Sequence, residues 1–202
     1  METFKHVIPT KEHEKDAIEF INEFHEYSSK IYGVGGLEKY LNDYDGWLSR
    51  LDSFRGIEPN ENRVPSETFF LVRENDNRIV GMINIRLALN ENLKKYGGHI
   101  GYSIRPTERG KGYNKINLYL GLLFCQSQGI NEVLLDCDKD NPASANTMIA
   151  LGGNLVKEYF DDEHDHCIVQ DYIIDVNKSV KDNKSTYEPY IDIEKERLWF
   201  LS

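Results

Sequence analysis

The sequence His99-Ile-Gly-Tyr-Ser-Ile-Arg-Pro-Thr-Glu-Arg-Gly-Lys-Gly-Tyr-Asn-Lys115 decides how the rest of the chain is interpreted. Apolar residues alternate with small or polar ones over His99–Ile104, which is the two-residue period of a β-strand. Pro106 ends this strand because proline has no N–H group to donate to a sheet. Over Ile116–Cys125, apolar residues recur every three or four positions, which predicts a helix.

A short basic loop, Arg109-Gly-Lys-Gly112, connects the predicted strand to the predicted helix. The first N–H groups of a helix have no partner inside it, and the helix dipole adds positive charge there, so this position attracts anions. Glycines let the backbone approach a phosphate without a Cβ in the way. The loop therefore predicts a pyrophosphate cradle, although a Gly-x-Gly pair alone also occurs in ordinary turns.

A second strand and helix follow, Val133–Asp138 and Asn141–Gly153. With these elements the chain resembles the GNAT superfamily of acyl-CoA-dependent N-acetyltransferases, most clearly over residues 69–176. The family loop, Arg/Gln-x-x-Gly-x-Gly/Ala, is matched by Arg109, Gly112 and then Asn114, where the family prefers glycine or alanine. The later family pattern of strand, asparagine, helix and glycine is matched by the two elements just named.

The resemblance implies an α/β (α+β) fold with a mixed, mostly antiparallel sheet of six to seven strands and about four helices. The sheet is expected to splay between the strand ending at Ile104 and the strand holding Leu135, where the pantetheine arm of acetyl-CoA would enter. Residues 1–176 are predicted to form the acetyltransferase domain. Residues 177–202 are predicted to form an extension that packs on this domain or on a second copy of the chain in a homodimer.

The resemblance also implies direct attack of an amine on the acetyl thioester within a ternary complex. The family uses a backbone N–H on the strand before the loop to stabilise the oxyanion, and the matching position is Ile104. Asn141 matches an asparagine that contacts the cofactor, and it also suits the N-cap of a helix that begins with Pro142. The residues expected to bind acetyl-CoA are Ile104, Arg109, Gly110, Lys111, Gly112, Tyr113, Asn114, Asn141 and Ser144.

The catalytic set predicted from the sequence is Ile104, His99, Tyr102 and Asp136. An alkylamine with a pKa near 10.4 is mostly protonated at pH 7, and removing its proton costs about 4–5 kcal/mol. His99 is the favoured base because imidazole titrates in the useful range, although a structural histidine fits the same pattern. Met148 stands where many family members carry a tyrosine acid, and Tyr119 or water is a possible substitute.

Two other nucleotide-binding classes lack their motifs in this chain. A P-loop enzyme would need Gly-x-x-x-x-Gly-Lys-Ser/Thr, and a dinucleotide-binding fold would need a third glycine after Arg109-Gly-Lys-Gly112. The alternative that stays open is a catalytically weak acyl-CoA-binding or regulatory module of the same fold, which Met148 motivates.

The 202-residue chain has a formal net charge of −10. This charge argues against nucleic-acid binding and fits a small cationic amine as acceptor, although solubility alone also explains it. No apolar run is long enough for a signal peptide or a membrane span, so we expect a cytoplasmic protein without membrane contact. The aromatic residues of the first two predicted helices either line the acceptor pocket or form core: Tyr27, Tyr32, Tyr40, Tyr44 and Trp47.

The cluster Asp161–His166 contains carboxylates and imidazoles, which are metal ligands. Its position in a predicted hairpin turn favours plain solvation, and no metal is expected. Cys125, Cys137 and Cys167 lack metal-type spacing and are predicted to be free thiols.

Overall fold

The computed structural model describes residues 2–163 and 166–191. In this part of the chain the α-helices are α1 Glu14–Glu26, α2 Tyr44–Asp52, α3 Glu91–Lys95, α4 Tyr113–Ser127, α5 Pro142–Ala150 and α6 Val176–Tyr187. The β-strands are β1 Phe4–Val7, β2 Ser66–Arg73, β3 Arg78–Arg86, β4 Ile100–Ile104, β5 Glu132–Asp138, β6 Asn154–Asp161 and β7 Cys167–Asp175.

The strands form two antiparallel sheets with the orders β1-β2-β3-β4 and β5-β7-β6. Strands β4 and β5 meet at His99, whose N–H donates to the carbonyl oxygen of Leu134 at 2.7 Å. The N–H of Leu134 in turn donates to Nδ1 of His99 at 3.0 Å, so the imidazole takes the place of a backbone acceptor. Beyond this junction the two strands belong to separate sheets. The predicted splay between Ile104 and Leu135 is therefore confirmed.

The hydrophobic core lies on both faces of the four-stranded sheet. Leu71 and Ile83 pack on one face with the apolar residues of α4. Phe70 and Met82 pack on the opposite face with α1 and α2. The alternation of side chains along β2 and β3 produces this division, since neighbouring residues of a strand point to opposite faces.

Helix α2 begins at Tyr44, so Tyr40 of the predicted aromatic set lies before it. Its first turn is capped by Asp43, whose Oδ1 accepts from the N–H of Gly46 at 3.0 Å. Helices α3 and α6 were not predicted, because their sequences are mostly polar; they are capped by Asn90 and Asp175. The part of the chain that the structure describes thus has two more helices than the four expected.

Helix α6 lies against α4 in the same core. The rings of Tyr119 and Tyr187 are 5.2 Å apart between centroids, and Oγ of Ser179 donates to the carbonyl oxygen of Leu151 at 2.6 Å. Residues 192–202 lie outside the described part of the chain. The division into a domain of residues 1–176 and an extension of residues 177–202 stays a prediction.

Candidate active site

A cavity of about 910 Å³ opens between β4 and β5. It is lined by both strands, by the loop of residues 109–114, by the start of α5 and by residues 29–33 after α1. Ten of the twelve predicted site residues line it: Tyr102, Ile104, Arg109, Gly110, Gly112, Tyr113, Asn114, Asp136, Asn141 and Ser144. His99 and Lys111 are not among its described lining residues.

The N–H group of Ile104 is directed into this cavity. The N–H of Arg105 donates to the carbonyl oxygen of Val80 at 2.9 Å, and Ile104 lies opposite Gly81. In an antiparallel pair this arrangement places Ile104 at a non-hydrogen-bonded position, so its N–H and C=O point away from β3. They therefore point towards the opening left by β5.

The edge of β5 presents backbone groups to the same opening. The N–H of Lys139 donates to the carbonyl oxygen of Ile168 at 2.7 Å, next to the pair of Asp138 with Val169. The N–H and C=O of Asp138, and of Asp136 two residues earlier, therefore point away from β7. Two strand edges without a partner strand line the cavity, although the carbonyl oxygens of Ile104 and Asp138 already accept from Arg109 and Asn141. An extended ligand with amide groups can hydrogen-bond to the remaining backbone groups as an added strand would.

The loop before α4 has the open backbone of an anion cradle. Gly110 and Gly112 have left-handed φ angles of +78° and +83°, which glycine adopts without a Cβ penalty. A Cβ built at either position meets nothing within 4 Å, so the space beside the loop is open. Gly112 is the N-cap of α4 and provides no side-chain cap, which leaves the first N–H groups of the helix available to an anion.

The two cations of the loop have different roles. Arg109 donates from Nε to the carbonyl oxygen of Ile104 at 3.1 Å and from Nη2 to Oγ of Ser29 at 2.8 Å. It therefore fixes the loop to the end of β4 and to the segment after α1. Lys111 is directed to Glu108 instead, with its Nζ 2.7 Å from a carboxylate oxygen.

The asparagines at the two helix starts are held differently. Asn141 is the N-cap of α5, since its Oδ1 accepts from the N–H of Ser144 at 3.2 Å, so the predicted capping role is confirmed. Asn114 directs Nδ2 to Oγ1 of Thr147 at 3.5 Å. Its Oδ1 is buried without a hydrogen-bond partner among the described residues. A ligand in the cavity with an N–H or O–H group would satisfy this acceptor.

Tyr102 and Ser144 form a hydroxyl pair beside the strand opening, with the two oxygens 2.9 Å apart. Burial raises the pKa of Tyr102, so the phenol keeps its proton at neutral pH. Cys137 lies nearby on β5, and burial raises the pKa of its thiol to about 11. Met148 is completely buried in the core, so its position is a packing position in this chain.

The hydrogen bonds of His99 match the structural alternative that the sequence left open. Its Nδ1 accepts from the N–H of Leu134, and burial lowers the pKa of the imidazole. The ring thus holds β4 and β5 together at the point where they separate. A role for His99 as the base gains no support from this geometry and stays a prediction.

The side of the cavity away from the glycine loop is lined by acidic and aromatic residues. Asp136 accepts from the N–H of Gly97 at 2.7 Å, and Asp138 forms an ion pair with Lys30 at 2.9 Å. The aromatic residues are not those of α2, because Tyr44 and Trp47 lie in the core. Other lining residues on this side are Tyr32, Arg86, Tyr96, Tyr159 and Asp161. Of the aromatic set predicted from the sequence, Tyr32 is the member described in the lining.

Two kinds of site have no counterpart in the described residues. Within residues 2–163 and 166–191, no group of three or more His, Cys, Asp or Glu side chains is arranged to hold a metal ion. The Asp161–His166 cluster includes two residues outside those ranges. The helices of the same part of the chain include none that is long and apolar enough to cross a membrane.

A family model, described as acetyltransferase (GNAT) domain, matches residues 9–154. This chain belongs to the GNAT acetyltransferase family. The predicted family and the predicted enzyme class, an acyl-CoA-dependent N-acetyltransferase, are therefore confirmed. A comparison of this GNAT protein with curated protein sequences gives no match.

Solved structures of acetyltransferases share the fold of this GNAT protein. The spermidine/spermine N-acetyltransferase SpeG from Vibrio cholerae is 11% identical, with a TM-score of 0.61 over 90% of this chain and 98% of that chain. Ribosomal-protein-S5-alanine acetyltransferase from Vibrio fischeri is 14% identical, with a TM-score of 0.65 and coverages of 88% and 95%. Mycobacterium smegmatis RimJ, in complex with CoA-disulfide, is 12% identical, with a TM-score of 0.67 and coverages of 91% and 88%. The predicted fold class is therefore confirmed.

The site of this GNAT protein fits acetyl-CoA, the acetyl donor that the family uses. The open glycine loop suits a pyrophosphate, and the two strand edges suit an arm that carries amide groups. The buried Oδ1 of Asn114 has no hydrogen-bond partner among the described residues, and a bound ligand or a water molecule would supply one.

Proposed function

We propose that this GNAT protein transfers an acetyl group from acetyl-CoA to a primary amine of a small, cationic acceptor. The observation that carries the proposal is the direction of the Ile104 N–H, which points into the cavity between the separated strands. Arg109 fixes this residue to the adjacent cradle through the carbonyl oxygen of Ile104. One oriented donor therefore lies beside an anion-binding loop.

The residues of the cradle and the strand edges would bind the acetyl donor. The N–H groups of Gly112, Tyr113 and Asn114 lie at the start of α4, where phosphate oxygens are bound favourably. The backbone N–H and C=O of Asp136 and the N–H of Asp138 would hydrogen-bond along the arm, whereas the C=O of Asp138 accepts from the N–H of Asn141 at 2.9 Å. The bound donor supplies an activated acyl thioester.

Three groups of the chain would act on the reacting atoms. The Ile104 N–H would donate to the acyl oxygen as negative charge develops there, an effect worth about 3 kcal/mol for one oriented donor. Tyr102, hydrogen-bonded to Ser144, would give a proton to the departing sulfur. This pair performs the task for which many family members use a tyrosine at the position of Met148. The products are an N-acetyl amine and a thiol.

The charge of the cavity supports a cationic acceptor. Asp136, Asp138 and Asp161 would attract an ammonium group, and tyrosine rings bind cations through their faces. Among the similar structures, SpeG is a spermidine/spermine N-acetyltransferase and another is a ribosomal-protein-S5-alanine acetyltransferase, so the fold alone does not select the acceptor. The acidic lining favours the small amine over a protein terminus.

The cradle is tested by replacing Gly112 with glutamate. The added carboxylate repels a pyrophosphate and removes one or two charge-assisted hydrogen bonds of about 1.5–3 kcal/mol each. Acetyl-CoA affinity, measured by calorimetry, should fall at least about tenfold, as a loss of 1.4 kcal/mol predicts. Gly112→Ala is the matched control, because it has the same backbone strain without the charge. Unchanged affinity in a folded Gly112→Glu protein would contradict the cradle.

A thiol-release assay with acetyl-CoA and a panel of amines tests the reaction. The panel should include diamines, polyamines, neutral amines and peptides with a free amino terminus. Release that depends on a diamine or polyamine supports the proposal. Tight binding of acetyl-CoA without thiol release in any mixture would instead favour the binding or regulatory module.

A further inference from the structure

Two carboxylates lie side by side on neighbouring strands, and one of them lines the acidic half of the cavity. Asp136 of β5 and Asp171 of β7 are direct cross-strand partners. They occupy a non-hydrogen-bonded position, which brings their Cβ atoms to about 4.5–5.5 Å. Asp136 lines the cavity, and Asp171 is only 7% exposed. No described residue forms a hydrogen bond or an ion pair with the side chain of Asp171, and its oxygens are not among the fully buried atoms without a partner.

Charged and titratable groups surround the pair on every side. Besides the pair itself, they are Arg86 on β3, Asp138 on β5, and Lys157, Tyr159 and Asp161 on β6. The N–H of Gly97 holds one oxygen of Asp136 at 2.7 Å, which leaves the other oxygen for the cavity and for Asp171. Lys157 lies opposite Asp171 in the sheet. Neither Arg86 nor Lys157 forms an ion pair within 4.0 Å of Asp136 or Asp171 in the described structure.

Two adjacent and mostly buried carboxyl groups resist ionising together. Burial raises the pKa of Asp136. Burial, followed by the charge of Asp136, raises the pKa of Asp171 to about 6. Like charges this close favour a state in which the pair holds one proton and one negative charge.

We propose that Asp136 and Asp171 act as a coupled pair that accepts the proton of the acceptor ammonium. Asp136 is the catalytic residue, because it lines the cavity. Asp171 is a positioning residue: from the neighbouring strand β7, its charge raises the proton affinity of Asp136. The inference rests on the proposed acetyl transfer. It assigns the base that the sequence left open, and it adds Asp171 to the site.

The proposed step balances in atoms and charge. The ammonium group gives one proton to the carboxylate of the pair, and the neutral nitrogen attacks the acyl carbon. The C–N bond forms and the C–S bond breaks; Tyr102 gives its proton to the departing sulfur, and the nitrogen's surplus proton then passes to the Tyr102 oxygen and restores the phenol. The pair then releases its proton to solvent, so the net products are an amide, a thiol and one proton.

The coupling matters because an ordinary carboxylate is a weak base for an amine. Each unit by which the pKa of the carboxyl pair rises makes proton transfer from the ammonium group to the pair tenfold more favourable. A pair with one negative charge also binds the ammonium group. It stabilises this unreactive protonated form less than two negative charges would. Both effects favour the neutral amine that attacks the thioester.

The test compares the wild type with Asp171→Asn by ¹³C-carboxyl NMR titration of the unliganded protein and by the pH profile of kcat/KM for the amine. In the wild type one carboxyl group of the pair should titrate near pH 6. In Asp171→Asn the titration of Asp136 should move to lower pH, because a like charge beside it is gone. The acidic limb of the profile should move with it, and kcat should fall by about threefold or more while the KM for acetyl-CoA is kept.

Glu158→Gln is the matched control. It removes one negative charge from the same sheet, but Glu158 is on the exposed side of β6 and pairs with Lys139. Its pH profile should match that of the wild type. Two carboxyl groups that both titrate at ordinary carboxylate pH, or a profile that Asp171→Asn leaves unmoved, would overturn the pair while acetyl transfer stands. A wild-type protein that acetylates no amine would overturn the proposed function and this role together.

Discussion

His6 is a buried histidine of the core, away from the candidate active site. His6 is 5% exposed, stacks on Phe69 and lies with Nε2 2.9 Å from Oδ1 of Asn117. Asn117 donates its own N–H to the carbonyl oxygen of Met82, so His6 is the donor to Oδ1. Burial lowers the pKa of His6 to about 4. The imidazole is therefore a neutral part of the core between β1 and α4.

The burial of His6 predicts a pH-dependent stability. The unfolded chain takes up a proton on this residue as the pH falls through about 6.5, whereas the folded protein takes it up only near pH 4. Stability present above pH 6.5 is thus lost as the pH falls towards 4, by about 3 kcal/mol in the free energy of unfolding. His6→Gln keeps a donor for Asn117 and should remove this part of the pH dependence.

The measurement is urea unfolding at several values between pH 7 and pH 4.5. His25→Gln, at an exposed position of α1, is the control and should keep the wild-type slope. An unchanged slope in His6→Gln would contradict the assignment of the pH dependence to His6.

At the scale of elements, the segment between α1 and α2 forms a wall of the cavity by docking on β4. Tyr32 donates its N–H to Oγ of Ser103 at 2.9 Å, and the same hydroxyl donates to the carbonyl oxygen of Tyr32 at 2.6 Å. Gly33 lies against Gly101 so closely that a Cβ at Gly33 would be 2.0 Å from the Gly101 oxygen. The φ of Gly33 is +66°, which also favours glycine.

Gly33→Ala should therefore displace this wall. We expect kcat/KM for the amine to fall roughly tenfold or more, because small misplacements of positioning groups are costly. Acetyl-CoA affinity should fall less than the amine kinetics, because Gly33 contacts β4, whereas the glycine loop meets this segment at Ser29 through Arg109. Gly56→Ala is the control: Gly56 has a φ of +64°, but a Cβ there meets nothing within 4 Å. It should cost only the backbone strain, about 1–2 kcal/mol of stability. Equal amine kinetics in both variants would contradict the docking role.

For the whole molecule, the net charge of −10 and the acidic cavity act in the same direction on a cationic acceptor. Attraction between exposed charges is screened as the Debye length shortens with salt. The kcat/KM for a polyamine should therefore fall about tenfold between roughly 0.05 M and 0.5 M salt, and that for a monoamine should fall less. Steady-state rates at matched pH measure the difference. Equal salt responses of the two amines would count against the acidic half of the cavity as the acceptor site.

The sequence alone determined the central unit of the fold. The strand before Ile104, the glycine loop at Gly112 and helix α4 were predicted because alternation, proline and glycine act on the local backbone. The cap at Asn141 was predictable for the same reason. Helices α3 and α6 were missed, because polar helices stabilised by caps and by packing lack an apolar period.

Only the tertiary structure decided which side chains meet in the cavity. Asp136 and Asp171 are 35 residues apart, and the register of β5 with β7 brings them together. Tyr96 and Tyr159 reach the same cavity from a loop and from β6, with no shared pattern in the sequence. Lys111 was assigned to the cradle by its place in the loop, but a buried glutamate attracts it. Register, strand separation and long-range charge pairing depend on contacts between distant segments, and no local pattern encodes them.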